Sequence, residues 1–171
     1  MKILVAYYSK SGNTRKVAEA IFESLDKEGK EIRPMKEVEN PQDYNLIFCG
    51  FPVHAHSVPV AAQNFLKKIP QEAKVALFST HGSLPEGRMP KEALNNAVSL
   101  VRSEVLGTFT CRGQVEPSII EELTNKAEHR AWAMEAQSAQ SHPDSADLDE
   151  ARFFAGNMLK KYIGFKDYNK K

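Results

Sequence analysis

The first strongly constraining feature is the run Ile3-Leu4-Val5-Ala6-Tyr7-Tyr8, which is apolar or aromatic throughout and stops at Ser9. An extended segment without alternation has two faces to cover, which suits a parallel strand between two layers of helices. From Arg15 to Lys30 the period changes. Val17, Ala20, Ile21, Ser24 and Leu25 recur at spacings of three and four, one helical stripe that ends near Gly29. The opening unit is therefore strand, short loop, helix.

That unit recurs. Glu31 to Met35 reads as a short second strand, and Asn45 to Phe51 as a third centred on Leu46-Ile47-Phe48. Pro59 to Lys68 reads as a helix with Pro near its first turn and Ala62, Phe65, Leu66 and Ile69 facing inward. Lys74 to Ser79 supplies a fourth strand, and Pro90 to Arg102 a helix with Leu94, Ala97, Val98 and Val101 on one face. Glu104 to Cys111 is a fifth, less apolar strand suited to a sheet edge. Five strands interleaved with helices predict an α/β fold, with a mostly parallel sheet covered on both faces.

After Gly113 the regular spacing ends. Pro117 to Gln140 predicts a helix with Ile120, Leu123, Ala127 and Met134 repeating and Trp132 nearby, stopped by Ser141-His142-Pro143-Asp144. A last helix is expected from about Ala146 to Tyr162, with Leu148, Ala151, Ala155, Met158, Leu159 and Tyr162 inward. Residues 114–144 thus read as a helical excursion from a single domain spanning 1–171, and Lys166 to Lys171 as a frayed end rather than a nucleic-acid arm. With 42% apolar residues, 171 residues are enough for one core. Twenty-three basic against 22 acidic residues give a formal charge of +1, so no global field recruits nucleic acid or an anionic membrane. Cys49 and Cys111 make no disulfide framework or metal cluster. No membrane span is expected, and the amino-terminal run reads as a strand rather than a signal peptide, so the expected setting is cytoplasmic.

The loop Ser9-Lys10-Ser11-Gly12-Asn13-Thr14 sits between first strand and first helix, where open α/β sheets place ligands. Gly12 permits a tight turn, and N–H groups of residues 10 to 14 can converge on one anion at the positive end of the helix. Ser9, Ser11 and Thr14 add hydroxyls, and Asn13 an amide. The spacing is neither the Gly-x-Gly-x-x-Gly of dinucleotide sites nor that of a triphosphate loop, which favours a terminal monophosphate. The same residues also suit a plain helix cap, with Ser11 or Asn13 as the cap and Gly12 in the turn.

Val5 to Thr14, followed by Val17-Ala18-Glu19-Ala20-Ile21, resembles the start of flavodoxin-family proteins, whose Ser/Thr-x-Ser/Thr-Gly-x-Thr loop binds the FMN phosphate. Ser9, Ser11, Gly12 and Thr14 match it, with Lys10 and Asn13 at the variable positions. The likeness of organisation extends over residues 1–113 and 146–163. It implies a flavodoxin-like three-layer sandwich with a five-stranded parallel sheet in the order 2-1-3-4-5, and FMN at the carboxyl ends of strands one, three and four. It also implies that the flavin ring lies between the loops Phe51 to Pro59 and Thr80 to Arg88. The expected site residues there are Pro52, Val53, His54, Ala55, His56, Thr80, His81, Gly82 and Gly87, with backbone groups near Val53, Ala55, Thr80 and Gly82 meeting the ring's pyrimidine edge.

Electron carriers of this family commonly sandwich the ring between a Trp in the first loop and a Tyr in the second. Neither loop here has either residue, so His54 or His56 would cover one face, or the ring would stand open to a substrate or partner. His54, His56 and His81 have no Cys companion in these loops, whose one carboxylate is Glu86, and are not read as a metal site. The first ring loop has no carboxylate and the second balances Glu86 with Arg88, so fully reduced flavin is expected to be less penalised than in acidic flavodoxins. Cys49 reads as a core residue, Cys111 as lying near the ligand-bearing rim, and Arg112 as a conceivable partner contact.

No catalytic residue is assigned. The expected function is FMN-binding electron transfer with a redox partner protein or a small-molecule electron acceptor. The alternatives are an FMN-dependent NAD(P)H oxidoreductase acting on a quinone or similar acceptor, and a non-redox structural or regulatory domain.

Overall fold

A computed structural model describes residues 1–54, 57–84 and 87–168. Strands β1 (Ile3–Tyr7), β2 (Lys30–Pro34), β3 (Leu46–Pro52), β4 (Lys74–His81) and β5 (Glu104–Arg112) form one parallel sheet in the order β2-β1-β3-β4-β5. The helices are α1 (Asn13–Ser24), α2 (Val60–Leu66), α3 (Arg88–Leu100), α4 (Pro117–Thr124), α5 (Arg130–Gln137) and α6 (Ser145–Tyr168). Both the α/β sandwich and the strand order agree with the sequence-based expectation, and β5 is an edge strand.

Alternate residues of each central strand enter different cores, which is why those strands show no polar face. Ile3, Val5, Phe48 and Phe78 pack with Val17 and Ile21 of α1 and Ala151, Ala155 and Met158 of α6. Leu4, Ala6, Ile47, Cys49 and Leu77 pack on the other side with Ala62 and Leu66 of α2 and Leu94 and Ala97 of α3. The sheet order reverses at β1, so the loops after β1 and β3 part at a topological switch point, with the exit of β4 beside them.

Several boundaries differ from expectation. Helix α1 starts at Asn13 and stops at Ser24, where Leu25 leaves in extended geometry. Gly29, at φ 76°, instead shapes the turn into β2. The expected helix from Pro117 to Gln140 is two helices, broken at residues 125–129. The break resets the helical phase, so Ala133 and Ala136 are buried while Ala127 and Met134 face solvent. Val98 is likewise on the exposed side of α3. Helix α6 runs on to Tyr168, so Lys166 is helical rather than frayed, and residues 169–171 lie outside the described residues. Its start is tightly capped. The Asp144 carboxylate accepts from the N–H groups of Ala146 and Asp147, and Asp147 accepts from the Asp144 N–H and from His142 Nδ1 at 2.5 Å.

Candidate functional site

The turn from β1 into α1 depends on Gly12, whose φ of 92° lies in the left-handed region. A Cβ built there would meet no atom of the described residues within 4 Å, so the space over the turn is open among them. The turn is closed by the Gly12 N–H donating to Ser9 Oγ at 3.1 Å. Among the described residues no side chain caps α1, and its first turn carries no acidic residue. Neither Ser11 nor Asn13 therefore fills the capping role that the sequence left open. Among the described residues the N–H groups of Lys10, Ser11, Asn13, Thr14 and Arg15 find no acceptor.

The side chains of the loop divide the work. Ser9 and Ser11 accept hydrogen bonds through Oγ, from Gly12 N–H and Asn13 Nδ2, which leaves each hydroxyl hydrogen to donate. Asn13 is buried and donates from Nδ2 to Ser11 Oγ at 3.1 Å and to the Gln114 carbonyl at 2.8 Å. Its amide hydrogens are thus spent inside the protein, and its backbone N–H is the group left free. Thr14 is buried, with its hydroxyl 2.8 Å from that of Thr80. This bond fastens the first loop to the end of β4. Lys10 is exposed. Desolvation of the His54 ring, and after it the charge of Lys10, holds the His54 pKa below the usual imidazole value.

The second loop approaches from β3. The N–H of Val53 donates to the Thr80 carbonyl at 2.9 Å, so these two backbone groups are turned to each other rather than left for a ring edge. His54 and Ser57 pair through reciprocal backbone bonds of 2.9 and 2.8 Å, and the His54 ring meets Tyr8 edge-on, 6.5 Å between centroids. Pro52 is half-buried at the end of β3. The expected residues Ala55 and His56, like Glu86, lie outside the described residues.

The third loop follows β4. His81 is 6% exposed and donates from Nδ1 to the Ser83 carbonyl at 3.0 Å, which makes Nε2 an acceptor. Among the described residues Nε2 is buried without a partner. Burial, with the Arg112 charge also acting downward against the Ser83 hydrogen bond, lowers the His81 pKa to about 4. The ring is therefore neutral at ordinary pH. Gly87 leads into α3 and donates its N–H to the Leu84 carbonyl.

Two expectations are corrected here. Cys111 is 2% exposed and burial raises its pKa, so it is not available at the rim. Arg112 is 8% exposed and turned inward, so it is no partner contact. Sequence reasoning also missed Ser83, Trp132 and Glu135, which meet around Arg112. No local pattern marks them, because the loop after β4 and helix α5 are brought together at Arg112 from distant parts of the chain.

The Flavodoxin domain family profile matches residues 4–156. The Flavodoxin-like domain-containing protein BilS of Clostridioides difficile (strain CD3) is 30% identical over 174 residues, covering 94% of this chain and 98% of that protein. Oxidised Flavodoxin 2 from Bacillus cereus superposes with a TM-score of 0.62 at 20% identity, covering 94% of this chain and 99% of the other. A flavoprotein in complex with FMN from Lactobacillus acidophilus NCFM superposes with a TM-score of 0.52 at 20% identity, covering 64% and 92%.

Proposed function

The chain belongs to the flavodoxin family, and from that premise we propose that it binds FMN and serves as an electron carrier of the flavodoxin type. The observation that carries this reading is the donor set between β1 and α1. A turn with free N–H groups, two hydroxyls with hydrogens to give, no carboxylate and open space above Gly12 suits an acceptor-only anion such as a terminal phosphate. The free N–H groups of Lys10, Ser11, Asn13, Thr14 and Arg15 and the hydroxyls of Ser9 and Ser11 would hold the phosphate. The loops after β3 and β4 would flank the ring. Bound there, FMN would supply reversible one- and two-electron transfer.

The cations near these loops favour added negative charge, offset in part by the Glu135 carboxylate that accepts from the Leu84 N–H. Lys10 is exposed beside the second loop, and Arg112 is a buried cation behind the third. Arg88 is engaged with Glu92 at 2.7 Å. A separate redox partner protein and a cytoplasmic setting belong to this reading, in keeping with two free, buried thiols. Among the described residues no helix is long and apolar enough to cross a membrane.

Anaerobic rapid mixing of the FMN-loaded protein with NADH and with NADPH tests the carrier reading. A carrier is reduced promptly by neither and accepts electrons from a separate flavin reductase. Prompt reduction by either nucleotide, followed by turnover with a quinone, contradicts the carrier and makes the protein an oxidoreductase.

A further inference from the structure

We infer that Arg112 and helix α5 form a two-sided clamp on residues 82–84, and that this clamp positions the loop after β4 for the flavin ring. The ring part of this inference rests on the FMN reading above.

Ser83 is the centre of the clamp and is 3% exposed. Its carbonyl accepts from His81 Nδ1 at 3.0 Å and from Arg112 Nε at 3.1 Å, and its hydroxyl accepts from Trp132 Nε1 at 3.0 Å. The neighbouring residues are held as well. The Gly82 carbonyl accepts from Arg112 Nη2 at 3.2 Å, and the Leu84 N–H donates to the Glu135 carboxylate. Gly82 sits directly on the excursion, since a Cβ there would lie 2.5 Å from Val115 Cγ2 and 3.3 Å from Ala136 Cβ. A larger residue at this position would push the loop off its seat.

The same Arg112 fork also grips the end of α5, with the two hydrogens of Nη2 shared among the Gly82, Glu135 and Ser138 acceptors. Nη2 donates to the Glu135 carbonyl at 3.0 Å and to Ser138 Oγ at 2.8 Å, and Nη1 to the Ser138 carbonyl at 3.2 Å. These acceptors lie at the negative end of the helix dipole. No carboxylate forms an ion pair with Arg112 among the described residues, so its buried charge depends on neutral acceptors contributed from two sides. Withdrawing either residues 82–83 or residues 135–138 leaves a buried cation short of partners, which is strongly unfavourable. The two segments are therefore stable only together.

This gives the excursion a role that its packing alone does not. Its apolar cluster is small, Ile120, Ala133 and Ala136 with Val115, Leu123 and Trp132 beside them, while its polar side chains reach the β4 loop. The exit of β5 also serves both sides of the site. Arg112 holds the ring loop, and the next residues hold the phosphate loop, through the Gln114 carbonyl to Asn13 and through Gly113, whose built Cβ would lie 3.0 Å from Asn13 Nδ2.

Residue-resolved amide exchange on the flavin-free protein, paired with FMN and riboflavin titrations, tests the clamp in R112M, W132F, E135A and E135Q. Exchange at residues 82–84 is expected to quicken about tenfold in R112M and E135A, and FMN and riboflavin each to bind about tenfold more weakly. The glutamine introduced by E135Q keeps a carbonyl acceptor for Leu84, so that variant recovers most of the loss. Unchanged exchange at 82–84 in the folded variants overturns the clamp. Faster exchange with unchanged flavin affinities, or a loss confined to FMN, overturns its role in positioning the ring loop. Should R112M fail to fold, W132F and E135A carry the same test. A wild-type chain that binds neither flavin removes the FMN reading, and the exchange data then decide the clamp alone.

Discussion

Replacing Gly12 with Val is expected to weaken FMN binding by about 100-fold while changing riboflavin binding by less than about threefold. The two ligands share the ring and the ribityl chain and differ in the phosphate. Gly12 holds φ at 92°, where a β-branched residue is strongly disfavoured, and no atom of the described residues stands within 4 Å of the new Cβ. The loss is therefore one of backbone shape. The turn opens, the free N–H groups of residues 10, 11 and 13–15 are no longer held in place, and two charge-assisted hydrogen bonds of about 1.5 kcal/mol each account for the factor. Thr14→Ala is a poorer probe, because it strips a buried partner from Thr80 and mixes stability with binding. Parallel losses for both flavins in Gly12→Val would mean that the turn shapes the whole site rather than the phosphate cradle.

The second large effect concerns acid stability. The folded state holds His81 neutral down to about pH 4, whereas the same imidazole in an unfolded chain takes a proton near its ordinary value of 6.5. Between those values the unfolded state binds more protons, so stability falls as pH falls. The contribution is fully retained above pH 6.5, is lost progressively below it, and amounts to about 3 kcal/mol by pH 4. His81→Asn keeps a donor for the Ser83 carbonyl and removes the titration. Denaturant unfolding at a series of pH values should show the wild type losing about 3 kcal/mol more than the variant between pH 6.5 and 4. Equal slopes for the two proteins would contradict a neutral, buried His81.

The parts of this molecule that are legible in its sequence are those set by short-range pattern. Ile3 to Tyr7 reads as a doubly buried strand because each side chain enters one of two cores, and the five strand and helix units follow from the same contrast of periods. The loop from Ser9 to Thr14 stands out because a left-handed turn before a helix needs glycine. The residues that escape are set by long-range geometry. Asn13 has the chemistry of a ligand donor, yet its amide reaches Gln114, 101 positions away. Arg112 reads as a surface residue at a strand end, and only the excursion folding back, with Ser138 26 positions later, buries it. Trp132 reaches Ser83 across 49 positions, and no helical period records such a contact. One continuous helix would turn Met134 inward, and the break at 125–129 shifts it outward.

The most direct test of the central claim is equilibrium titration of the purified, flavin-free chain with FMN, followed by flavin fluorescence. The expected result is saturable binding of one FMN per chain with a Kd of about 1 μM or tighter, and riboflavin weaker by about 100-fold. An absence of binding at about 100 μM FMN, or equal affinity for FMN and riboflavin, would contradict a phosphate-anchored flavin site between β1 and α1.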